Sequence, residues 1–233
     1  MVLLRRRTVE RRGFLSLAAC GALAVSGLRS PGLAATALSP DEALTKLRDG
    51  NRKFITAPRL CEEAMANRRA AVAKAQSPWA TILTCSDSRV SPELIFGGIG
   101  LGELFVARNA GNMADTATMG TIEYGAEHLG SPLVVVLGHK RCGAAAAACE
   151  VVEKQTAFPG SIGPMVDAIV PSAKAVHGLP GDFVDNTVRE SARRTAAKIL
   201  SDSEIVAHLS HERKVKVVYA RYDLDSGVVD FLS

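Results

Sequence analysis

Two short motifs hold the side chains of this sequence that are most capable of chemistry. Cys-Ser-Asp-Ser-Arg at residues 85–89 offers a thiol, a carboxylate and a guanidinium, and Gly-His-Lys-Arg-Cys-Gly at residues 138–143 offers an imidazole and a second thiol. Two thiolates and one imidazole form a ligand set that zinc favours, and three protein ligands leave a fourth tetrahedral position for water or substrate. Cys85, His139 and Cys142 are therefore candidate zinc ligands.

Two other interpretations of these residues remain open at this point. A nucleophilic Cys–His pair would use Cys85 with His139, but it would give Cys142 no function. A structural zinc site would need a fourth Cys or His at matching spacing, and the sequence offers none there. The remaining candidates are interpreted as ordinary core or surface residues: Cys61, Cys149, His128, His177, His208 and His211.

Predicted strands and helices alternate along the chain and place both motifs at strand ends. Runs typical of strands lie at residues 80–84, 104–107, 133–137, 215–220 and 228–231. Helices are predicted at residues 40–49, 62–75, 116–129, 165–176 and 187–209. Gly50 is expected to end the first helix, and an Ala-rich helix should follow Cys142. Because strands alternate with helices, we expect a single α/β domain with a mainly parallel sheet and flanking helices. The carboxyl ends of parallel strands line the ligand crevice of an open sheet, so we expect the zinc site at those ends.

The N-terminal segment is expected to be an export signal. Paired arginines at residues 11–12 precede an apolar stretch that runs to Leu28, and the small side chains of residues 35–37 offer a cleavage site. This pattern is typical of a twin-arginine signal peptide, and the apolar stretch is too short and too interrupted to cross a bilayer. We therefore predict a signal peptide at 1–37, a mature domain at 38–233 and a periplasmic or otherwise exported protein without stable membrane insertion.

The charge balance argues against nucleic acid as a partner. Of the 28 basic and 24 acidic side chains, the predicted leader contains six and one, so 22 and 23 remain in the mature chain. A nearly neutral domain has no overall field to attract a polyanion. Four of the five cysteines also remain, and because exported proteins can form disulfides, pairing stays open as the alternative to metal binding.

Taken together, the two motifs resemble those of β-class carbonic anhydrases. Phe-Val-Ala-Arg-Asn-Ala-Gly-Asn at residues 105–112 and Tyr-Asp-Leu-Asp-Ser-Gly at residues 222–227 also occur in the order found in that family, so the resemblance covers most of the mature chain. It implies a zinc enzyme that reversibly hydrates carbon dioxide to bicarbonate and a proton through zinc-bound hydroxide. It also implies a homodimer or a multiple of dimers.

The same resemblance assigns roles to individual residues. It implies that Cys85, His139 and Cys142 hold one zinc ion per chain, and that Asp87 and Arg89 form a catalytic dyad beside it. Asp87 would accept a hydrogen bond from the bound hydroxide and orient it towards the substrate. Arg89 would hold that carboxylate away from the metal, where it could otherwise become a fourth ligand.

Two departures from the family pattern affect these expectations. By the same resemblance, family members in which the carboxylate closes the site as a fourth ligand have Trp three residues before the first Cys. This sequence has Ile82 at that position, which favours the open form, with the fourth position left for water. The segment at residues 96–103 also lacks the Gln that, by the same resemblance, would contact the substrate. Two alternative functions accompany carbon dioxide hydration. Hydrolysis of carbonyl sulfide or carbon disulfide at the same zinc stays open because the motifs do not specify which linear triatomic molecule fits, and zinc binding without catalysis stays open because of the missing Gln.

Overall fold

A five-stranded sheet forms the centre of the protein in a computed structural model that describes residues 36–57 and 72–232. The strands are β1 (Ala80–Cys85), β2 (Leu104–Asn109), β3 (Leu133–His139), β4 (Lys216–Tyr222) and β5 (Val229–Phe231). Their order is β2-β1-β3-β4-β5, with β1 to β4 mutually parallel and β5 antiparallel to β4. The prediction of an α/β domain with a mainly parallel sheet is confirmed.

Helices cover both faces of this sheet. They are α1 (Pro40–Thr56), α2 (Pro92–Ile95), α3 (Thr116–Glu123), α4 (Gly143–Lys154), α5 (Ile162–Asp167), α6 (Val170–Val176), α7 (Phe183–Asp202) and α8 (Glu204–His211). No helix among the described residues is long and apolar enough to cross a membrane. The predicted leader and most of the helix predicted at residues 62–75 lie outside the described residues.

The two central strands, β1 and β3, are buried along their whole length. Alternate side chains of a strand point to opposite faces of the sheet. Val135 of β3 accordingly packs in the cluster that contains Leu47 of α1, whereas Val134 packs in the cluster that contains Ala192 of α7. Burial on both faces explains why these strands are rich in apolar and β-branched residues and lack an alternation with charged ones.

The first helix continues past the residue that was expected to end it. Ser39 caps α1 with its hydroxyl oxygen, which accepts a hydrogen bond from the Glu42 backbone N–H, but the helix runs to Thr56. A Cβ atom at Gly50 would lie 1.9 Å from the carbonyl oxygen of Phe96. The prediction of a stop at Gly50 is therefore wrong, because this glycine allows α1 to pack closely against the end of α2.

Three predicted helices are interrupted in the structure. The segment at residues 116–129 changes from α3 into a π-helical turn at Tyr124–His128. The segments at 165–176 and 187–209 each divide into two helices, α5 with α6 and α7 with α8. At the second division Ser203 has an extended backbone, and its hydroxyl oxygen accepts a hydrogen bond from the Val206 N–H and so begins α8.

Candidate active site

The three predicted zinc ligands lie together at the carboxyl ends of two neighbouring strands. Cys85 is the last residue of β1, His139 is the last residue of β3, and Cys142 immediately precedes α4. Because β1 and β3 are adjacent and parallel, these ends meet at one edge of the sheet. The ligand atoms of the three residues lie within 4.8 Å of one another, and all three residues are buried.

The imidazole of His139 is oriented by the backbone. Its Nδ1 atom lies 3.0 Å from the carbonyl oxygen of Lys140, and because a carbonyl only accepts, Nδ1 must carry the proton. The Nε2 atom is then a bare acceptor, and it is buried without a hydrogen-bond partner among the described residues. Such an orphaned atom is costly unless a metal uses its lone pair, so the donor set fits zinc.

The two thiols are coupled to one another. A hydrogen bond from the Cys142 thiol lowers the pKa of the Cys85 thiol, and burial opposes this effect. The same bond, together with burial and the charge of Cys85, raises the pKa of Cys142, although the backbone N–H groups of Ala144 and Ala145 at the start of α4 act in the opposite direction. The pair thus retains one proton, which would have to be released for both sulfurs to hold a divalent cation.

Asp87 and Arg89 form a two-pronged ion pair at the rim of this cluster. Arg89 Nε donates to Asp87 Oδ1 at 2.9 Å, and Arg89 Nη2 donates to Asp87 Oδ2 at 2.7 Å. The Arg89 side chain is the main cause of a lowered Asp87 pKa, so this carboxylate is ionised. Asp87 Oδ2 lies 3.8 Å from His139 Nε2. The dyad therefore stands beside the three ligand atoms, with the carboxylate engaged by Arg89.

Arg108 is a contributor to the site that the sequence analysis did not single out. Its Nε atom donates to the carbonyl oxygen of Cys85 at 3.0 Å, and its Nη2 atom donates to that of Asp87 at 2.7 Å. Arg108 lies on β2 in register with Thr84 of β1. The sequence signal that could have identified Arg108 was a charged side chain near the carboxyl end of a predicted strand, where the functional residues of a parallel sheet are expected.

Asn109 stabilises the loop that follows β2. Its side-chain oxygen accepts from the Met113 N–H at 2.8 Å, and its amide nitrogen donates to the Met113 carbonyl at 2.7 Å. The Asn109 carbonyl also accepts from the Ser86 N–H at 3.1 Å. Arg108 and Asn109 together fix the backbone on which Cys85 and Asp87 are mounted.

The glycine-rich segment that departs from the family pattern lies next to α1. Gly97 has a φ of +93°, and a Cβ there would lie 2.7 Å from the Gly50 carbonyl oxygen. A surface groove of about 630 Å³ separates this segment from α1, and its lining includes Gly97 and Gly98 but none of the predicted ligand or dyad residues. We therefore place the chemistry at the ligand cluster and not in this groove.

The other described cysteine and histidines do not join the cluster. Cys149 is a buried thiol on α4 whose sulfur lies 3.3 Å from the hydroxyl of Thr187. His128 and His208 lie at the surface beside glutamates. Among the described residues, Cys85, His139 and Cys142 are the one set of three or more His, Cys, Asp or Glu side chains close enough to share a metal ion. Cys61 lies outside the described residues.

The fold and the donor set define a class of protein: a parallel α/β domain with a Cys₂His zinc site at adjacent strand ends. Residues 80–229 match the family described as carbonic anhydrase. The chain is 33% identical over 189 residues to carbonic anhydrase 2 of Mycobacterium tuberculosis, which covers 81% of this chain and 91% of the relative. It is also 33% identical over 195 residues to a carbonic anhydrase of Mycolicibacterium smegmatis, with coverages of 84% and 94%.

Solved structures agree with these relatives. A Coccomyxa β-carbonic anhydrase in complex with acetazolamide superposes with a TM-score of 0.64 at 29% identity, covering 81% of this chain and 86% of that one. A tetrameric β-carbonic anhydrase of Sordaria macrospora, at 23% identity and a TM-score of 0.62, shares the fold over 83% of this chain and 96% of its own. The chain belongs to the β-carbonic anhydrase family and is a zinc-dependent carbonic anhydrase.

Proposed function

We propose that this enzyme reversibly hydrates carbon dioxide to bicarbonate and a proton at a zinc ion held by Cys85, His139 and Cys142. The observation that carries the proposal is the buried Nε2 atom of His139, which has no hydrogen-bond partner among residues 36–57 and 72–232 and lies within 4.8 Å of two thiols. Three protein ligands at these strand ends leave a fourth position free. When bound, zinc supplies Lewis acidity that lowers the pKa of water towards neutrality.

Asp87 is proposed to orient the attacking water. Arg89 keeps the carboxylate ionised, and an ionised carboxylate can only accept hydrogen bonds. Asp87 therefore accepts a hydrogen bond from the water, and this bond directs a lone pair of the water oxygen towards the carbon of the substrate. Two thiolates would cancel the charge of a divalent ion, so the ion would lower the pKa of water less than a site with neutral ligands does. The orientation by Asp87 would therefore contribute to the rate.

Arg89 is proposed to keep the site open. Its guanidinium binds both oxygens of Asp87, and its backbone N–H adds a third hydrogen bond to Oδ1 at 3.0 Å. A carboxylate held in this way is unavailable as a fourth ligand, so the open position is left for water and substrate. Ile82 in place of the Trp of the closed subtype is consistent with this proposal.

Stopped-flow carbon dioxide hydration by Asp87→Asn tests the function and the role of the dyad together. The substitution keeps the shape of the side chain but adds a donor where an acceptor is needed, so turnover should fall by about 10² or more while zinc content is unchanged. Ser88→Ala, on the same exposed loop, is the control and should keep full activity. Full activity in Asp87→Asn would refute the role of Asp87, and wild-type turnover of carbonyl sulfide without turnover of carbon dioxide would refute the substrate.

We also propose that the chain assembles as a dimer or a multiple of dimers. β2 lies at an edge of the sheet, and Phe105 on it contacts the ring of Tyr124, which is about half exposed. Aromatic side chains are enriched in interfaces between subunits, and the unpaired backbone groups of an edge strand can pair with another chain. Light scattering on the purified protein should give a mass of two chains or an even multiple, and a monomer at micromolar concentration would contradict the proposal.

The N-terminal segment is proposed to export the folded enzyme by the twin-arginine route. A double substitution, Arg11→Lys with Arg12→Lys, should leave unprocessed protein in the cytoplasm, because the arginine pair is recognised as an address and not as bulk charge. Cell fractionation and the mass of the N-terminus measure the outcome, with Arg29→Lys as the control. Processed, exported protein from the double variant would contradict the proposal.

A further inference from the structure

Lys140 and Arg141, the two residues between the second and third zinc ligands, bind the same distant carboxylate. Lys140 Nζ donates to Asp225 Oδ2 at 2.9 Å. Arg141 donates from Nη1 to Oδ2 at 2.8 Å and from Nη2 to Oδ1 at 2.6 Å. We call residues 139–142 the ligand loop. Three charge-assisted bonds therefore join the middle of the ligand loop to one residue in the C-terminal part of the chain.

The backbone of the ligand loop needs external support. Arg141 has a φ of +56°, in the left-handed region that residues other than glycine seldom adopt. The Lys140 N–H donates to the Tyr222 carbonyl at 2.8 Å, and the Lys140 carbonyl accepts from Nδ1 of His139. The Lys140–Arg141 backbone thus determines both the direction of the imidazole and the point at which Cys142 enters α4.

Asp225 lies in a hydrogen-bonded turn at residues 223–227. Asp223 Oδ1 accepts from the Asp225 N–H at 2.9 Å, and Asp223 Oδ2 accepts from Arg221 Nη1 at 2.8 Å. The Arg221 side chain is only 7% exposed, and its Nε donates to Asp185 Oδ1 of α7 at 2.8 Å. The carboxylate that holds the ligand loop is therefore connected through this turn to a buried arginine and to a helix behind the sheet.

We propose that Asp225 is a positioning residue for the metal centre: by holding Lys140 and Arg141, it fixes the ligand loop and so the relative placement of His139 and Cys142. The inference rests on the zinc site of the proposed function. Side chains of Asp225 and Arg141 are 56% and 51% exposed, and exposed ion pairs add little to global stability. We therefore expect loss of this contact to change zinc affinity and ligand geometry, because both depend on small displacements of the ligand loop.

Asp225→Asn tests the proposal, with zinc transfer from the purified holoenzyme to a chromophoric chelator as the readout. The amide cannot hold two cations, so we expect about tenfold weaker zinc binding, near the lower end of the range for residues that support metal ligands. A cobalt-substituted sample should show altered thiolate-to-cobalt absorption, which a loss of general stability would not produce. Asp225→Glu, which keeps the charge, should recover most of the affinity.

The matched control is Glu190→Gln. Glu190 also holds two cations, since it accepts bonds from Arg193 and Arg194, all at 2.7 Å, within α7 and away from the ligand loop. Its substitution should leave zinc affinity and the cobalt spectrum unchanged. If Asp225→Asn fails to fold, Arg141→Gln removes the two-pronged bond from the other side and is measured in the same way.

The results separate this proposal from the proposed function. Zinc binding of wild-type strength in Asp225→Asn, or an equal loss in Glu190→Gln, would overturn the role of Asp225. A wild-type protein that binds zinc but does not hydrate carbon dioxide would overturn the function and leave the affinity difference between the variants intact.

Discussion

The buried imidazole of His139 is suited to binding a metal ion before any ion is present. His139 is completely enclosed, and its backbone partner at Lys140 leaves Nε2 as the atom that faces the two thiols. A buried acceptor without a partner lowers stability, and a buried thiol pair with one proton resists full ionisation. Both costs disappear when a divalent cation is bound, so zinc affinity and the local free energy of folding are coupled here.

Removing any one of the three ligands should release the metal. Cys85→Ser, His139→Ala and Cys142→Ser should each be purified with well under one zinc per chain, because every ligand supplies part of the binding free energy. Elemental analysis measures the outcome. Cys149→Ser is the control, since its hydroxyl can keep the contact with Thr187. Stoichiometric zinc in any of the three ligand variants would remove that residue from the site.

At the scale of elements, the site depends on which strand ends lie side by side. β1 and β3 are neighbours at the centre of the sheet, and both are buried throughout, so their carboxyl ends are held at a fixed separation. α4 begins directly after Cys142 and turns the N–H groups of its first residues towards that sulfur. Strand pairing and the start of one helix thus set the geometry of the ligands.

The packing of α1 on α2 can be tested at Gly50. Gly50→Ala places a methyl group against the Phe96 carbonyl, and overpacking of this kind should lower the free energy of unfolding by about 1 to 3 kcal/mol. Gly120→Ala is the matched control, because Gly120 is also helical but, in the part of the chain that the structure describes, a Cβ there would meet no atom within 4 Å apart from its own helix backbone. That control should be stabilised by about 0.5 to 1 kcal/mol. Chemical denaturation of both variants measures the difference, and equal effects would contradict the close approach.

At the scale of the whole molecule, a charge network around the buried Arg221 joins distant parts of the chain. Arg221 on β4 bonds Asp185 on α7 and Asp223 in the C-terminal turn. Burial by itself would raise the pKa of Asp223, but hydrogen bonds from the N–H groups of Asp225 and Ser226 and from Arg221 lower that pKa to about 2. A carboxylate with a lowered pKa in the folded state stabilises the protein when it is ionised.

This network predicts a pH dependence of stability. Asp223→Asn should have a smaller free energy of unfolding than the wild type near neutral pH. The gap should close as the pH falls from about 5 to about 2, because the unfolded carboxyl, with its usual pKa of about 3.9, binds protons before the folded one does. Chemical denaturation of both holoproteins across this range measures the gap. The control is Asp202→Asn, which breaks an exposed ion pair with Lys198 and should change the free energy of unfolding very little at any pH. A difference between Asp223→Asn and the wild type that is independent of pH would be inconsistent with this account.

The amino-acid sequence by itself determined the features that depend on neighbouring residues. Apolar runs located all five strands, and the capping box at Ser39 and Glu42 located the start of α1, because both reflect local backbone preferences. The three candidate ligands were also identified from local information. His139 and Cys142 lie in one motif and Cys85 in another, each motif at the carboxyl end of a strand, and parallel strand ends meet by the geometry of the fold.

Only the tertiary structure decided which residues support that site. Whether Gly50 ends a helix or receives a neighbouring carbonyl depends on Phe96, which is far along the chain from it. Arg108 holds the loop after β1 because of strand register, and Asp225 reaches Arg141 across 84 positions of sequence. Such contacts arise when separate elements pack at a particular register and distance, and a local pattern of residue types carries no information about that packing.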